Sequence, residues 1–136
     1  MPGQSTEMNL FKIAFTLLLL SSTTCCFSQE AIDCNSFKSG KFKYLDVEDT
    51  TAFIVMNKDK QVEYFNNKMY SIESTVKWIA PCTYLMRMEK CTVPDFPYKP
   101  GDVMKVEINR IADDIIYYTS SVKGTTWTGR FIRIKK

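Results

Sequence analysis

The stretch at positions 70–78 reads Tyr70-Ser71-Ile72-Glu73-Ser74-Thr75-Val76-Lys77-Trp78. Apolar and polar side chains alternate along it, which is typical of a β-strand with one buried and one solvated face. The side chains that share the buried face are Tyr70, Ile72, Val76 and Trp78. This stretch therefore predicts a half-buried strand in an antiparallel sheet.

Further runs of the same kind lie on both sides of this strand. Downstream, Pro81 interrupts the alternation because proline cannot donate a hydrogen bond to a sheet ladder. The alternation resumes over positions 82–89, where Tyr84, Met86 and Met88 share the inward face. The other predicted strands lie at positions 40–45, 52–56, 61–65, 103–111, 115–122 and 125–134.

Short connections rich in turn residues separate these runs, among them Asn66-Asn67 and Lys123-Gly124. No stretch after position 37 has helical periodicity over a useful length. About eight strands with hairpin-length links predict an all-β fold, an antiparallel up-and-down meander that forms a small barrel or half-barrel. A two-sheet sandwich is the alternative.

The segment before the strands has the layout of a secretory signal peptide. Lys12 precedes an apolar run at positions 13–20, and small and polar residues follow. The run is shorter than the roughly 20 apolar residues of a transmembrane helix. We expect residues 1–28 to be removed, with Met8 as an alternative start, and residues 29–136 to form one secreted or periplasmic β domain.

Two adjacent cysteines near the expected cleavage site leave one alternative open. A lipid on Cys25 or Cys26 would anchor the protein to a membrane, although the preceding Thr23-Thr24 lacks the leucine and small residues expected before a lipoprotein cysteine. Cleavage after Ser28 would remove both cysteines.

Charge and composition exclude several function classes. The chain has no histidine, which excludes the usual Ser-His-Asp and Cys-His catalytic sites and most zinc and copper sites. A net charge of +3 is too balanced to require a nucleic-acid partner. We expect no nucleic-acid binding, no enzymatic activity, no cofactor and no metal site.

The acidic and basic clusters fit solvated surface positions. Adjacent Asp113 and Asp114 predict a tight turn, in which neighbouring carboxylates point in different directions. Asp46, Glu48 and Asp49 are interpreted as turn charges between the first two strands. The C-terminal basic residues, which run from Lys123 to Lys136 without an acidic neighbour, fit a solvated last strand.

Two motifs resemble a family of small secreted bacterial proteins. Positions 34–42 read Cys-Asn-Ser-Phe-Lys-Ser-Gly-Lys-Phe, close to the family pattern Cys-x-x-Phe-Lys-Thr-Gly-Lys-Phe, with Ser39 in place of threonine. Positions 78–85 resemble Trp-x-x-x-Cys-x-Tyr-x-Leu, although Leu85 directly follows the tyrosine here. Some members carry the name DNA topoisomerase IV. That name does not fit a secreted domain of this size without a phosphate-binding glycine-rich loop.

A weaker likeness connects the chain to lipocalin-like barrels. It rests on the number and order of the strands and on Gly40-Lys41-Phe42, where those barrels often have Gly-x-Trp. A likeness of this kind implies a fold and says little about the ligand.

The first resemblance also implies a disulfide. The first and mid-chain cysteines of that family recur together, which implies a Cys34–Cys82 bridge in an oxidising compartment. Cys91 would then be free. A Cys82–Cys91 bridge would join the two ends of one predicted strand, and it stays open only if that strand prediction is wrong.

Aromatic and methionine side chains are the candidate ligand contacts. Those predicted to line the barrel interior are Tyr64, Tyr70, Trp78, Tyr84, Met86, Tyr118, Trp127 and Phe131. A barrel of about eight strands either fills with side chains or holds one small ligand, and both remain open. The loop at positions 93–101 carries Phe96 and Tyr98 between prolines, and it is the candidate recognition element.

Two functions follow from this pattern. The leading hypothesis is a non-enzymatic β-barrel that binds a small apolar or amphipathic ligand. The alternative is an interaction or structural module of the cell envelope, which would use a sheet edge, the loop at positions 93–101 or the basic tail to bind an envelope protein or a membrane surface. An enzyme would need two carboxylates on facing strands in one pocket, which the predicted strand faces do not provide.

Overall fold

A computed structural model describes residues 31–136 of the chain. The predicted signal peptide, its cleavage site and the alternative lipid attachment at Cys25 or Cys26 lie outside these residues. The elements follow in the order 3-10 helix Asn35–Lys38, β1 Gly40–Tyr44, β2 Phe53–Met56, β3 Lys60–Phe65, β4 Tyr70–Ala80, β5 Thr83–Cys91, β6 Val103–Ala112, β7 Ile115–Val122 and β8 Thr125–Arg133. Within these residues no helix is long and apolar enough to span a membrane.

The strands of residues 31–136 form a closed antiparallel barrel of eight strands in sequence order. Each strand pairs with its successor, and β8 closes the barrel on β1 through pairs that include Phe42–Arg133 and Tyr44–Phe131. The predicted all-β meander is confirmed, and the two-sheet sandwich is excluded. Closure leaves none of these eight strands with a free edge.

Tight turns of the predicted kind set the strand order. Asp113 and Asp114 both have positive φ, 53° and 64°, between the paired ends of β6 and β7. Lys123 and Gly124, between the paired ends of β7 and β8, also have positive φ, 48° and 78°. Two residues with positive φ match the right-handed twist of a hairpin, so these turns direct each strand back beside its predecessor.

The meander places its connections alternately at the two ends of the barrel. One end, called the plugged end here, carries the β2–β3, β4–β5 and β6–β7 turns and the residues before β1. The other, called the open end, carries the connections at positions 45–52, 66–69, 92–102 and 123–124. The long proline-rich loop therefore lies at the open end.

The residues before β1 fill the plugged end. Phe37 of the 3-10 helix is 0% exposed, and its ring centroid lies 4.7 Å from that of Phe42 and 5.8 Å from that of Phe131. A disulfide joins Cys34 to Cys82 in the β4–β5 turn, with 5.4 Å between the Cα atoms. The disulfide implied by the resemblance is confirmed, and Cys91 is the free cysteine among the described residues.

Gly129 of β8 allows the ring of Tyr118 to lie across the strand. The two residues are cross-strand partners, and a Cβ atom at position 129 would lie 2.6 Å from Tyr118 Cζ. The Tyr118 ring also stacks on Phe131, with 4.2 Å between centroids. We expect Gly129→Ala to lower the free energy of unfolding by about 1–3 kcal/mol, because the ring must leave this stack. Urea unfolding checks this, and an unchanged midpoint would show that Tyr118 moves freely.

Candidate functional site

A cavity occupies the half of the barrel next to the open end. Its volume is about 230 Å³, and a narrow adjoining lobe shares several of its walls. The aromatic layer around Phe37 fills the plugged end of the same barrel. The barrel is therefore filled at one end and hollow at the other, so neither of the two predicted alternatives holds along its whole length.

Most of the predicted ligand contacts line this cavity. The structure brings together Tyr84, Met86, Phe96, Tyr98, Tyr118 and Trp127. Tyr84 and Met86 come from β5, Tyr118 from β7 and Trp127 from β8, while the other two come from the loop at the open end. Phe131, which was also predicted to face inward, lines the cavity floor.

The prediction that Tyr64 faces the interior is wrong. In an antiparallel pair, residues directly opposite each other share one face of the sheet. Tyr64 lies opposite Phe53, and their rings stack on the outer surface at 4.9 Å between centroids. The neighbouring pair of Glu63 and Ile54 points inward instead.

Two other predicted contacts lie away from the cavity. Trp78 packs in the plugged end, with its ring 4.7 Å from that of Tyr84 and 5.0 Å from the Lys38 ammonium group. Its buried Nε1 has no hydrogen-bond partner among residues 31–136. Tyr70 starts β4 opposite Phe65 at the open end, but it does not contribute to the walls of the cavity.

Sequence reasoning missed the polar centre of the cavity. The carboxylate of Glu63 projects into the barrel, where its Oε1 accepts hydrogen bonds of 2.7 Å from Tyr44 Oη and from Gln61 Nε2. Tyr84 Oη donates in turn to Gln61 Oε1 at 3.3 Å. The signal that could have found Glu63 is the pattern of β2, where buried Ile54 and Met56 face Glu63 and Gln61 across the ladder.

Burial controls the protonation of this network. It raises the pKa of the Glu63 carboxyl, whereas the hydrogen bonds from Tyr44 and Gln61 act in the opposite direction. Burial also raises the pKa values of Tyr44, Tyr84 and Tyr118, and the negative charge of Glu63 adds to this effect. The three phenols therefore stay protonated at neutral pH and can donate hydrogen bonds.

The raised pKa of Glu63 predicts a pH-dependent cost in stability. The folded state binds a proton at Glu63 more tightly than the unfolded state does, so its stability falls as pH rises through the folded pKa. We expect Glu63→Gln to raise the free energy of unfolding by about 1 kcal/mol at pH 8 and to change it little at pH 4. The groups facing this site, Tyr44, Tyr84 and Tyr118, are unchanged in the variant.

Thermal unfolding of the Glu63→Gln variant and the wild type at the two pH values checks this. Glu73→Gln is the matched control, because Glu73 lies on the neighbouring strand and pairs with Lys60 on the outer surface, at 3.1 Å. A stability gain of equal size at both pH values, or a loss at pH 8, would contradict the assignment of a carboxylate inside the barrel.

The loop at positions 92–102 covers the open end. Phe96 and Tyr98 contact each other edge to face, and the Tyr98 ring lies parallel to Trp127 with 6.4 Å between centroids. Asp102 holds the base of the loop, since its Oδ2 accepts the Lys99 N–H at 3.0 Å and its Oδ1 pairs with Lys123 at 3.0 Å. The loop thus supplies two walls of the cavity from a fixed base.

Several charged side chains on the surface form ion pairs or hydrogen bonds within turns. Arg130 forms a two-pronged ion pair with Asp46, and Lys135 pairs with Asp114 at 2.7 Å. Asp49 accepts the backbone N–H groups of Thr51 and Asn66. Across residues 31–136, no group of three or more cysteine, aspartate and glutamate side chains is arranged to hold a metal ion.

The cavity geometry is the basis on which a function can be argued. Protein-family models, curated proteins and solved structures yield no match to this chain. Its function is therefore inferred from the side chains that line the barrel.

Proposed function

We propose that this chain is a secreted or periplasmic, non-enzymatic binding protein that holds a small apolar or amphipathic molecule inside its barrel. The observation that carries the proposal is the hollow half of the barrel, which is walled by aromatic and methionine side chains around one polar centre at Glu63. Ligand sites in proteins are typically apolar cavities with a few convergent polar groups. The Cys34–Cys82 disulfide supports an oxidising compartment.

The resemblances support this proposal only by analogy. A lipocalin-like architecture suits a barrel that is open at one end, although fold alone does not identify a ligand. The motifs shared with small secreted bacterial proteins, near Cys34 and Cys82, contribute to the plugged end and its disulfide.

The envelope-interaction alternative has less support from the described surfaces. The closed barrel offers no free strand edge within residues 31–136. Phe96 and Tyr98 face the cavity, and two basic side chains near the C-terminus, Arg130 and Lys135, are paired with Asp46 and Asp114. What could still serve a partner is the outer aromatic pair of Phe53 and Tyr64, with the Lys41 ammonium group 4.1 Å from the Phe53 ring.

Native mass spectrometry of the protein purified from its own host tests the proposal. We expect a fraction of the molecules to carry a non-covalent adduct of one small molecule, released by collisional activation. A chain that is ligand-free in every preparation, and that is not stabilised against heat by an extract of its host, would contradict it.

Removing the rings of Phe96 and Tyr98, which cover the open end of the cavity, is expected to weaken ligand binding. Without the rings of Phe96 and Tyr98, the Phe96→Ala/Tyr98→Ala variant would leave the mouth of the cavity open to water. We expect the adduct fraction to fall about tenfold, in line with the loss of one to two buried aromatic contacts.

The outer aromatic pair provides a matched control for this variant. Phe53→Ala/Tyr64→Ala removes the same two residue types from outside the barrel, where they stack on each other. Its adduct fraction should equal that of the wild type. If the control lost the adduct and the loop variant kept it, the outer surface would be the binding site.

A further inference from the structure

The charge inside the cavity is unbalanced. Glu63 lines both the main cavity and the adjoining lobe, and no lysine or arginine among residues 31–136 contributes to either. Asp102, the other carboxylate at the lobe, is already paired with Lys123. The causes that shift the pKa of Glu63 likewise include no cationic partner. Glu63 is thus a carboxylate without a counter-ion in an apolar chamber, a state that costs free energy unless a cation joins it.

One oxygen of this carboxylate is available to a ligand. Tyr44 and Gln61 both donate to Oε1, and none of the described residues donates a hydrogen bond to Oε2. The two donors fix the orientation of the carboxylate without neutralising it. A preorganised, half-satisfied carboxylate is suited to accept a charge-assisted hydrogen bond from an ammonium group.

The walls around the carboxylate suit a cation with an apolar body. Aromatic faces carry negative electrostatic potential and attract ammonium groups, and several rings close together form a cage for them. Tyr44 Oη lies 2.7 Å from Glu63 Oε1, and Tyr84 and Tyr118 line the same cavity. Tyr98 and Trp127 form a parallel pair at the mouth. Methionines from β5 and β6, Met86 and Met104, add adaptable apolar contacts.

We propose that the ligand of this cavity is an organic cation, a protonated amine with an aromatic or aliphatic body, whose ammonium group binds at Glu63. This inference rests on the proposed function and specifies the class of ligand. The ammonium group supplies the counter-ion that the chain does not, and the apolar body occupies the space between Tyr118, Trp127 and the loop at the open end. An anionic ligand would place a second negative charge beside Glu63.

Three probes that share the 2-phenylethyl group test this inference by isothermal titration calorimetry. They are 2-phenylethylammonium, the neutral 2-phenylethanol and the anionic 3-phenylpropanoate. We expect the cation to bind about tenfold more tightly than the alcohol, because both can donate a hydrogen bond to Glu63 but only the ammonium group also supplies the opposite charge. The anion should bind more weakly than either.

The Glu63→Gln variant shows whether the preference comes from this carboxylate. We expect its affinity for the cation to fall about tenfold, to the level of the alcohol, while its affinity for the alcohol stays within about twofold of the wild-type value. Glu73→Gln, which alters a carboxylate on the outer surface, should leave all three affinities unchanged. The comparison of the three probes in the wild type stands even if Glu63→Gln fails to fold.

The outcomes separate this inference from the proposed function. If the alcohol and the cation bind equally well in the wild type, the cavity binds ligands and the inference is overturned. A cation preference that survives in a folded Glu63→Gln variant also overturns it. If none of the three probes binds, the inference fails, and a ligand-free native mass spectrum would then show that the proposed function fails as well.

Discussion

Phe37→Ala is expected to lower the free energy of unfolding by about 3–5 kcal/mol, the range for removing a fully buried phenylalanine. The side chain is 0% exposed and is surrounded by four aromatic rings, with centroid distances of 4.7 Å to Phe42, 5.8 Å to Phe131, 6.1 Å to Tyr84 and 6.3 Å to Trp78. Its removal leaves a cavity that these rings cannot fill, because each is held by its own strand. Urea unfolding followed by circular dichroism measures the loss.

A matched variant tests whether the loss at Phe37 comes from its position at the plugged end or from the loss of any aromatic ring. Phe53→Ala removes the same side chain from the outer face of β2, where it stacks on Tyr64 and is partly exposed. We expect a loss of about 1 kcal/mol there. Equal losses for the two variants would contradict the assignment of Phe37 as the plug of the barrel.

The second large effect is expected from removal of the disulfide. Cys34 and Cys82 are 48 positions apart, and a bridge that closes a loop of this length stabilises the folded state by about 4 kcal/mol on the chain-entropy model. Because the bridge also fixes the helix that carries Phe37, the plug and the disulfide should act together. We therefore expect Cys34→Ala/Cys82→Ala to lower the melting temperature by roughly 15–30 °C.

Alanine at both positions avoids a buried hydroxyl and leaves no second cysteine among residues 31–136 that could form a wrong bridge with Cys91. Cys91→Ala is the control, since this cysteine is free at the end of β5 and partly exposed, and we expect a change of less than about 1 kcal/mol. A double variant that melts within about 3 °C of the wild type would mean that the plugged end is held without the bridge. Combining Phe37→Ala with the double variant should give a loss smaller than the sum of the two.

Local patterns were sufficient to predict the antiparallel meander of strands. Apolar and polar residues alternate in β4 and β5, with Tyr84, Met86 and Met88 on the inward face. This alternation predicted both the strands and the face that each one buries. Short turns such as Asp113-Asp114 left room only for hairpins, and hairpins in succession give a meander. Closure between β1 and β8 involves residues at opposite ends of the domain, and local patterns left it as one of several possibilities.

The inward orientation of Gln61 and Glu63 could not be predicted from local patterns. In β3, Val62 and Tyr64 look like the buried set, whereas Gln61 and Glu63 look solvated. The ladder with β2 reverses this, because Ile54 and Met56 lie on the buried face of β2 and their cross-strand partners Glu63 and Gln61 share that face. Positions at which a side chain lies against its own preference are expected to be functional or strained, and this is why Glu63 is central to the proposed binding site.

The most direct test of the central claim, that the cavity binds a ligand at Glu63, is a nuclear magnetic resonance titration of methionine methyl groups labelled with ¹³C. Met86, Met88 and Met104 line the cavity or its lobe, whereas Met56 is buried elsewhere and Met69 is 66% exposed in the connection between β3 and β4. With 2-phenylethylammonium, we predict shifts at the three cavity methyls, none at Met56 or Met69, and no such shifts at the same concentration in Glu63→Gln. Shifts confined to Met69, or no shift at any cavity methyl, would contradict the account.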